Sequence, residues 1–462
     1  MSWPRIPGLS VAIIKGDRIV YLKGFGQADP SGRPVTPQTP FIIGSITKSF
    51  TALAVMQLVE AGKVDLDAPV QKYIPWFRTA DANASAQITV RQLLYQTSGL
   101  PMMREPQFWT DTDAGALERT VRFFAHAQLD FSPGLGFGYS NANFETAGLI
   151  VQMISGQSYE EYVKQHILAP LDMKNSFTSE QEASEHGMAI GHRWWFGFPV
   201  AHTFLYNRSE LPAGYLYSSA EDMAHFMIAE MNDGHYGNSS VLSNDGIAST
   251  QTGPTPNAYA MGWERPEIGG RHLINHDGGT ANFQCSVFMD PDEHVGVFVA
   301  ANIMSALDAF STPHGAEPLD GETVRGVALS VLSLATKRAL PDQGRGKRQS
   351  YVIFDLVLLT LTTLLVISLM RIRRRYQRLR RRGIWSWWSF GWRSVLVALL
   401  HFTLPVLVVY LAMNVLLWHV LKMFQPDLIY WLEAVVLVLL VKGAIEIALL
   451  ARLFRQSHAV FH

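Results

Sequence analysis

A serine and a lysine three residues apart, at the start of a long apolar stretch with helical spacing, could form an activated nucleophile. They lie in Ser45-Ile46-Thr47-Lys48, and residues three apart share one face of a helix. The Lys48 amine can then accept the Ser45 hydroxyl proton, provided that burial keeps the amine partly neutral. Such a tetrad is expected roughly once or twice by chance in a chain of this length, and an N-cap serine followed by a solvated lysine is the alternative interpretation.

A tyrosine further along the chain could complete the proton transfer. Tyr139 lies in Phe137-Gly138-Tyr139-Ser140-Asn141, after a turn-rich segment and before a predicted helix from Asn143 to Ile154. We therefore expect its phenol to lie on a loop, from which it can share a proton with Lys48 and a leaving group. The Asn141 amide can orient Lys48 or the substrate.

A third motif carries two adjacent glycines. It is Asn275-His276-Asp277-Gly278-Gly279, and alternating strands are predicted after it, from Phe283 to Met289 and from His294 to Ala301. Glycines on an edge strand let a substrate lie against the backbone. An apolar helical pattern from Thr47 to Ala61 is predicted to follow the serine.

Together these motifs resemble the serine beta-lactamase and D-alanyl-D-alanine carboxypeptidase superfamily, especially its class C and esterase-like branch. The resemblance covers nearly all of residues 6–336. Three further segments match it: the first strand, the loop before the helical subdomain and the segment opposite the nucleophile (Ile6–Ala12, Gln96–Pro101 and Leu211–Tyr215). It implies an α/β (α+β) fold in which an antiparallel sheet is flanked by helices, with an all-helical subdomain.

The resemblance also implies a role for each motif. Ser45 would be the nucleophile, Lys48 and Tyr139 the proton-transfer pair, and Asn141 the orienting amide. His276 and Gly278 would form the third motif, and the backbone N–H groups of Ser45 and Gly279 would form the oxyanion hole. Neither a cofactor nor a metal is expected.

The third motif departs from the penicillin-processing pattern. Those enzymes usually carry Lys-Thr-Gly, whose ammonium attracts a substrate carboxylate, whereas this chain has His276-Asp277-Gly278. A histidine is only partly charged near neutral pH, and Asp277 adds negative charge, so we expect a substrate without a free carboxylate there. Three arginines are alternative carboxylate partners, although a solvated position is favoured for each: Arg193, Arg208 and Arg271.

The charge of the chain is divided between two regions. The 462 residues carry a formal net charge of -1, yet residues 1–336 hold 20 lysines and arginines against 34 acidic residues, and residues 337–462 hold 18 against 5. The acidic region argues against nucleic-acid binding. Cys285 is the single cysteine, so no intrachain disulfide is possible, and a buried core thiol is expected.

The basic region has the pattern of a membrane domain. After a hydrolase domain of residues 1–336 and a polar linker of 337–350, three apolar stretches are long enough to span a bilayer, at about 351–370, 395–418 and 428–451. Lys442 and Glu446 are four residues apart in the third span, and we expect them to pair.

Loop charge predicts the orientation of these spans. The arginine-rich segment 371–382 lies between the first two, so it should be cytoplasmic and the hydrolase domain extracytoplasmic. Export would need a signal that residues 1–5 do not supply, which leads us to expect further sequence upstream of Met1. The aromatic segment 194–199 could contact substrate or membrane, or pack beneath the cleft.

These observations predict a bacterial, multi-pass membrane-anchored serine hydrolase. Its substrate would be a small amide or ester, and a peptide that contains a D-amino acid is favoured; the sequence predicts no oligomeric state. One alternative is a penicillin-binding sensor or weak beta-lactamase. The layout also resembles periplasmic peptidases that remove an N-acyl-D-amino-acid cap from a prodrug, in which Asn282 would bind a D-asparagine side chain.

Overall fold

The structure is a computed structural model and describes residues 6–102, 111–196, 198–203, 206–255, 259–304, 324–338, 348–381, 387–403, 405–407, 410 and 426–458. The chain divides into two compact units. One comprises Met1–Arg193 with Pro199–Gly346, and the other comprises Trp194–Phe198 with Lys347–His462. The boundaries expected from sequence, 1–336, 337–350 and 351–462, stay a prediction.

The strands of the described residues are mostly short, apart from five that form one sheet. They are β1 (Gly8–Lys15), β2 (Arg18–Gly26), β3 (Phe41–Ile42), β4 (His192–Trp195), β5 (Phe198–Ala201), β6 (Tyr217–Ser218), β7 (His235–Tyr236), β8 (Ser239–Ser240), β9 (Glu267–Ile268), β10 (Arg271–His272), β11 (Ile274–Gly279), β12 (Gln284–Asp290), β13 (Val295–Ala301) and β14 (Ile303–Met304).

The main sheet is antiparallel, with the strand order β11-β12-β13-β1-β2. It joins the start of the first unit to its end, because β1 pairs with β13 in a register that places Leu9 opposite Ala301. All seven residues of β13 are buried, which is typical of a central strand covered on both faces. The third motif lies on β11, at the edge of this sheet.

The helices of the first unit lie on the faces of the sheet and in a helical subdomain. They are α1 (Thr47–Glu60), α2 (Ala82–Ser85), α3 (Val90–Leu94), α4 (Ala116–Phe123), α5 (Asn141–Ser155), α6 (Tyr159–Val163), α7 (Glu180–Glu185), α8 (Leu211–Gly214), α9 (Ala220–Met231), α10 (Asn244–Thr250) and α11 (Val324–Ala335).

Helix α1 is buried on nearly all sides. The sequence predicted one apolar face, but every residue from Thr47 to Met56 is buried, including the polar Thr47, Lys48 and Ser49. A helix that is buried all round must satisfy its polar side chains internally. The hydroxyls do so by bonding the preceding turn: Thr47 Oγ1 donates to the Gly44 carbonyl (2.7 Å) and Ser49 Oγ to the Ile46 carbonyl (2.8 Å).

The second unit is helical where it is described. Its helices are α12 (Arg348–Met370), α13 (Ile372–Arg381), α14 (Trp387–Ala398), which continues as a wider turn over Leu399–Thr403, and α15 (Pro426–His458). Two stretches are long and apolar enough to cross a bilayer, Phe390–Leu407 and Pro426–Gln456. A third is present if Asp355–Met370 and Ile372–Arg381, which are bent by 41° at a break, count as one. Of the predicted second span, residues 411–418 lie outside the described residues.

Candidate active site

The hydroxyl of Ser45 lies on a tight turn just before α1. Gly44–Ile46 form a single 3-10 turn, and Ser45 is half-buried. The start of α1 is fixed from the side, because the Leu216 N–H donates to Thr47 Oγ1 (3.2 Å). The serine is therefore held at the end of a rigid, buried helix, with its side chain directed toward Lys48.

The Lys48 amine contacts three oxygen atoms. Its Nζ lies 3.0 Å from Ser45 Oγ, 2.8 Å from Asn141 Oδ1 and 2.6 Å from the Ala213 carbonyl oxygen. The amide and carbonyl oxygens can only accept, so they take two amine hydrogens. In the neutral amine, the remaining lone pair then faces the Ser45 hydroxyl, which is the arrangement that proton abstraction needs.

The protonation of Lys48 is poised near neutrality. Burial lowers the pKa of Lys48 to about 7, against the opposing fields of Glu145 and Glu210. Both carboxyls are carried by elements that hold the amine: Glu145 is one turn after Asn141 on α5, and Glu210 immediately precedes α8. Burial raises the pKa of both carboxyls. Two buried carboxyls that repel each other do not both ionise readily.

Tyr139 lies on a loop, as predicted, and the loop is held by Gln96. The Gly138 N–H donates to the Gln96 carbonyl and the Ser140 N–H to Gln96 Oε1, both at 2.9 Å. Burial holds the pKa of Tyr139 well above its usual range, although a hydrogen bond with Ser45 opposes this shift. The side chain is therefore a neutral phenol that can pass a proton on. The Lys48 amine is the better base.

His276 is buried on β11 and bonded at both ring nitrogens. Its Nδ1 lies 2.7 Å from the Asp277 carbonyl and its Nε2 lies 2.9 Å from the Tyr259 hydroxyl. A carbonyl only accepts, so Nδ1 carries the hydrogen and Nε2 accepts from Tyr259. Burial lowers the pKa of His276 to about 4. The expectation of a partly charged histidine at this position is therefore wrong: desolvation keeps the ring neutral near pH 7.

The Asp277 carboxylate is paired within the fold. It accepts from Ser286 Oγ (2.6 Å) through Oδ1 and pairs with Arg325 of α11 through Oδ2. Arg325 also lies 3.6 Å from Glu264 and donates to Asn275 Oδ1 (2.6 Å). As the sequence suggested, Asp277 places negative charge near His276. Arg325, which Asp277 shares with Glu264, pairs with this charge and fixes β11 against α11.

Two glycines let β11 approach the serine turn. A Cβ atom at Gly278 would overlap the Ile43 carbonyl, and one at Gly44 (φ +57°) would overlap the Gly279 backbone nitrogen. Only glycines fit this crossing. The backbone nitrogen of Gly279 therefore lies beside the turn that carries Ser45, which is the placement expected for an oxyanion hole.

Other candidates from the sequence are engaged elsewhere. The Asn282 amide is buried, donates to the His202 carbonyl (2.8 Å) and accepts from Thr280 Oγ1 (3.2 Å). Arg271 is buried and paired with Asp290 (3.1 Å), so the solvated position favoured for it is wrong. Arg208 pairs with Glu160 (2.5 Å). Cys285 is a buried thiol, as predicted, and burial raises its pKa.

Comparison with known proteins decides the family. A model of the Beta-lactamase family matches residues 3–316. The chain belongs to this family. Protein flp of Staphylococcus aureus (strain MW2) is 30% identical over 416 residues, which are 87% of this chain and 80% of that protein. Penicillin-binding protein 4 of Amycolatopsis lactamdurans is 31% identical over 235 residues, 50% of this chain and 60% of that protein.

A solved structure shows the same fold. The octameric penicillin-binding protein homologue from Pyrococcus abyssi superposes with a TM-score of 0.62 at 29% identity, over 73% of this chain and 75% of that one. The predicted superfamily and its mixed fold of sheet and helices are confirmed. The beta-lactamase and penicillin-binding protein family consists of serine hydrolases that act on amides and esters, so this chain is one of them.

Sequence reasoning missed several groups that shape the site. Tyr259 contacts His276 and the Ala213 carbonyl contacts Lys48, while Gln96 bonds Gly138 and Ser140 on either side of Tyr139; no local pattern predicted these individual contacts. Arg325 offered a signal, because it is a lone charge near the start of the apolar helix α11. Glu145 offered another, since it follows Asn141 by four residues and so shares its helix face.

Proposed function

We propose that the chain is a membrane-anchored hydrolase that cleaves an amide or ester in a small peptide containing a D-amino acid, through an acyl-Ser45 intermediate. The observation that carries the proposal is the set of contacts of the Lys48 amine, together with its lowered pKa. It lies 3.0 Å from Ser45 Oγ, its other two contacts are acceptors, and its pKa is about 7. A lysine in these surroundings can act as a general base at neutral pH.

The reaction would begin with attack of Ser45 Oγ on the substrate carbonyl carbon. The hydroxyl proton passes to Lys48 Nζ, and the negative charge that develops on the carbonyl oxygen is stabilised by the N–H groups of Ser45 and Gly279. When the bond to the leaving group breaks, Tyr139 gives its phenolic proton to the leaving nitrogen or oxygen and is reprotonated from Lys48. Water then attacks the acyl-Ser45 ester. Lys48 and Tyr139 take the proton of the water and return it to Ser45 Oγ as the ester bond breaks, and the acid is released.

The third motif supports a substrate that needs no carboxylate at this position. His276 is neutral, because burial lowers its pKa to about 4, and Asp277 is paired with Arg325. The motif therefore lacks the ammonium that attracts the carboxylate of a penicillin. The names of two relatives, both penicillin-binding, are what favour peptides with D-amino acids.

Hydrolysis of matched enantiomers tests the substrate class. Purified full-length chain is mixed with p-nitroanilides of D-alanine and L-alanine and with the corresponding methyl esters, and release of product is followed for wild type and Ser45→Ala. We expect turnover of the D substrates at least tenfold above the L substrates, and none with Ser45→Ala. Equal rates for both enantiomers would refute the D-amino-acid preference, and unchanged turnover in Ser45→Ala would refute the nucleophile.

A second candidate is a penicillin-binding sensor or weak beta-lactamase, which the penicillin-binding relatives favour. Intact mass spectra after mixing with benzylpenicillin separate it from the hydrolase. A long-lived adduct on wild type alone, without turnover of amides or esters, would support the sensor. The third candidate, removal of an N-acyl-D-asparagine cap, depended on Asn282, whose amide is engaged with His202 and Thr280.

The membrane part of the proposal rests on two apolar helical stretches, or three with the bent pair. The arginine-rich segment 371–382 would lie in the cytoplasm and the hydrolase unit outside. Cysteine labelling in intact cells tests this orientation, because the native Cys285 is buried. Asp17→Cys, in an exposed turn, should react with a membrane-impermeant maleimide, and Arg381→Cys should react only after lysis. The reverse pattern would overturn the orientation.

A further inference from the structure

The second unit contains a chain of four polar side chains from three separate segments. Lys442 of α15 lies 2.7 Å from His401 Nε2 and 3.4 Å from Glu446, which in turn lies 3.4 Å from Arg375 of α13. His401, Lys442 and Glu446 are each less than 10% exposed. The pairing of Lys442 with Glu446 that the sequence predicted is confirmed.

The charges in this chain do not balance. His401 Nδ1 lies 3.1 Å from the Val397 carbonyl, which only accepts, so Nδ1 carries a hydrogen and Nε2 accepts from the lysine. The ring is then neutral. One carboxylate, Glu446, therefore faces two cations, Lys442 and Arg375. The Arg375 side chain is 54% exposed, so the excess positive charge lies at the open rim of the cluster, where it would attract an anion placed beside it.

Two adjoining cavities meet at Arg375 and Glu446. The first, of about 200 Å³, has a mainly apolar wall that includes Leu396, Val397, Leu449 and Leu453. The second, of about 270 Å³, is lined by three arginines of the α12–α13 bend, Arg371, Arg375 and Arg378, with Glu446 as its carboxylate. Arg375 and Glu446 line both cavities, so a basic compartment continues into an apolar one.

We propose that these cavities form a binding site for an anionic glycerophospholipid of the bilayer, with the head group between Arg371, Arg375 and Arg378 and an acyl chain along the apolar wall. This proposal rests on the membrane anchoring proposed above. The three arginines follow one another at spacings of four and three residues and so share one face of the helix. Basic pockets between membrane helices are the usual binding sites of anionic head groups.

Charge complementarity selects a lipid over other occupants. A zwitterionic lipid would not offset the excess positive charge, because its own ammonium would meet the same arginines. A free inorganic anion would leave the apolar wall of Leu396, Val397 and Leu453 uncovered. Only an amphiphile with an anionic head satisfies both compartments at once.

A pair of double variants with equal net charge tests the site. Arg371→Ala with Arg378→Ala removes two cavity arginines and keeps the Arg375–Glu446 pair, while Arg373→Ala with Arg380→Ala removes two arginines of the same segment that line neither cavity. Full-length chains are reconstituted in nanodiscs that contain equal amounts of dioleoyl phosphatidylglycerol and dioleoyl phosphatidylcholine. Lipids retained by each chain are then counted by native mass spectrometry.

We expect wild type and the Arg373/Arg380 control to retain phosphatidylglycerol preferentially, and the Arg371/Arg378 variant to retain it about 30-fold less tightly. Equal loss in both double variants would indicate general attraction to a charged surface and would overturn the site. Equal retention of the two lipids by wild type would also overturn it.

A second pair of variants tests the apolar compartment without removing charge. Leu396→Trp places an indole in the cavity, and Leu400→Trp is its control on the neighbouring turn, outside the cavity lining. Only Leu396→Trp should reduce retained phosphatidylglycerol, and equal effects of both would contradict the placement of the acyl chain. Carbonate extraction keeps the two proposals apart: wild-type chain released from membranes refutes the anchoring, whereas chain that stays in the membrane without lipid preference refutes only the lipid site.

Discussion

In the part of the chain that the structure describes, each unit buries one lysine within polar contacts, and the two lysines differ in their nearest partners. Lys48 contacts a hydroxyl, an amide oxygen and a backbone carbonyl. Lys442 contacts an imidazole and, at 3.4 Å, the carboxylate of Glu446. In the described residues no carboxylate lies within ion-pair distance of Lys48, and Glu145 and Glu210 act on it only through their fields.

This difference separates a lysine that contacts only neutral oxygen atoms from one that is paired with a carboxylate. A carboxylate in direct contact stabilises the ammonium, whereas neutral acceptors in a buried site leave desolvation as the larger effect. Burial accordingly lowers the pKa of Lys48 to about 7. Proton transfer at this site therefore requires that Glu145 and Glu210 lie beyond ion-pair distance of the Lys48 amine. From there their charges adjust the pKa of Lys48 without forming an ion pair.

The largest effect should come from replacing each lysine by arginine, whose guanidinium stays protonated. Lys48→Arg should lower kcat for an amide or ester substrate by about 10³-fold or more, because no general base remains beside Ser45. Lys442→Arg should leave kcat within about twofold, since an arginine preserves the pairing with Glu446. Both rates are measured with the same chromogenic substrate, after circular dichroism confirms that each variant is folded.

The comparison fails if Lys48→Arg keeps substantial activity. A rate within tenfold of wild type would mean that Lys48 is an electrostatic group and that another residue takes the serine proton. Equal losses in both variants would mean that the rate reports overall integrity of the chain instead of the chemistry at Ser45.

Direct ion pairs in the hydrolase unit should be structural, like the pair in the second unit. Arg325→Ala removes the partner of Asp277 and leaves a partly buried carboxylate beside Glu264. We expect the free energy of unfolding to fall by about 2 kcal/mol, since a buried charge loses its partner. Denaturant titration of hydrolase activity measures it. Arg338→Ala, which breaks an exposed pair with Glu293, is the control and should change stability by less than about 0.5 kcal/mol.

The sequence could predict elements that local residue patterns determine, but not contacts between residues that are distant in sequence. Local patterns predicted α1, the loop that carries Tyr139 and the strands that follow the third motif, because hydrophobic spacing and turn residues determine these elements. They did not reveal the protonation of His276, since its neutral state results from burial beside Tyr259, 17 residues away in sequence. Nor did they show that Asp277 is paired, because Arg325 comes from a helix that follows the sheet.

Asn282 is a residue that the sequence suggested for substrate binding but that the fold engages elsewhere. Its position just after the third motif suggested a substrate contact, yet the bend of the chain between β11 and β12 turns the amide into the interior. There it bonds the His202 carbonyl, which belongs to a segment 80 residues away. Proximity in sequence to a catalytic motif therefore does not determine whether a side chain faces the cleft.

Replacing His276 should have a smaller effect on kcat/KM. The pH profile of the variant identifies the residue whose titration produces the acid limb. Because burial lowers the pKa of His276 to about 4, the loss of activity on acidification toward pH 6 should belong to Lys48. His276→Gln should reduce kcat/KM by up to about tenfold, the value of one lost hydrogen bond to Tyr259, and leave the midpoint of the acid limb near pH 7. A shift of that midpoint by one pH unit or more would assign the limb to His276.

The smallest effect should be a shift of the acid limb of the pH profile when the carboxyls of Glu145 and Glu210 are removed. Both raise the pKa of Lys48, so Glu145→Gln with Glu210→Gln should lower it, and the enzyme should stay active to a pH lower by about one unit, equivalent to about 1.4 kcal/mol. Each single variant should shift the midpoint of the acid limb less, because the remaining carboxyl can carry the charge that the pair shares.

Glu230→Gln is the matched control for this shift. It removes another buried carboxyl, whose pKa burial raises to about 7, but Glu230 bonds Gln251 and is not among the groups that perturb Lys48. The pH–kcat/KM profile of the control should therefore superimpose on that of wild type. If Glu230→Gln moves the acid limb as far as the double variant does, the limb reflects a general loss of stability. If only the double variant moves the acid limb, Glu145 and Glu210 set the pH at which Lys48 becomes a base.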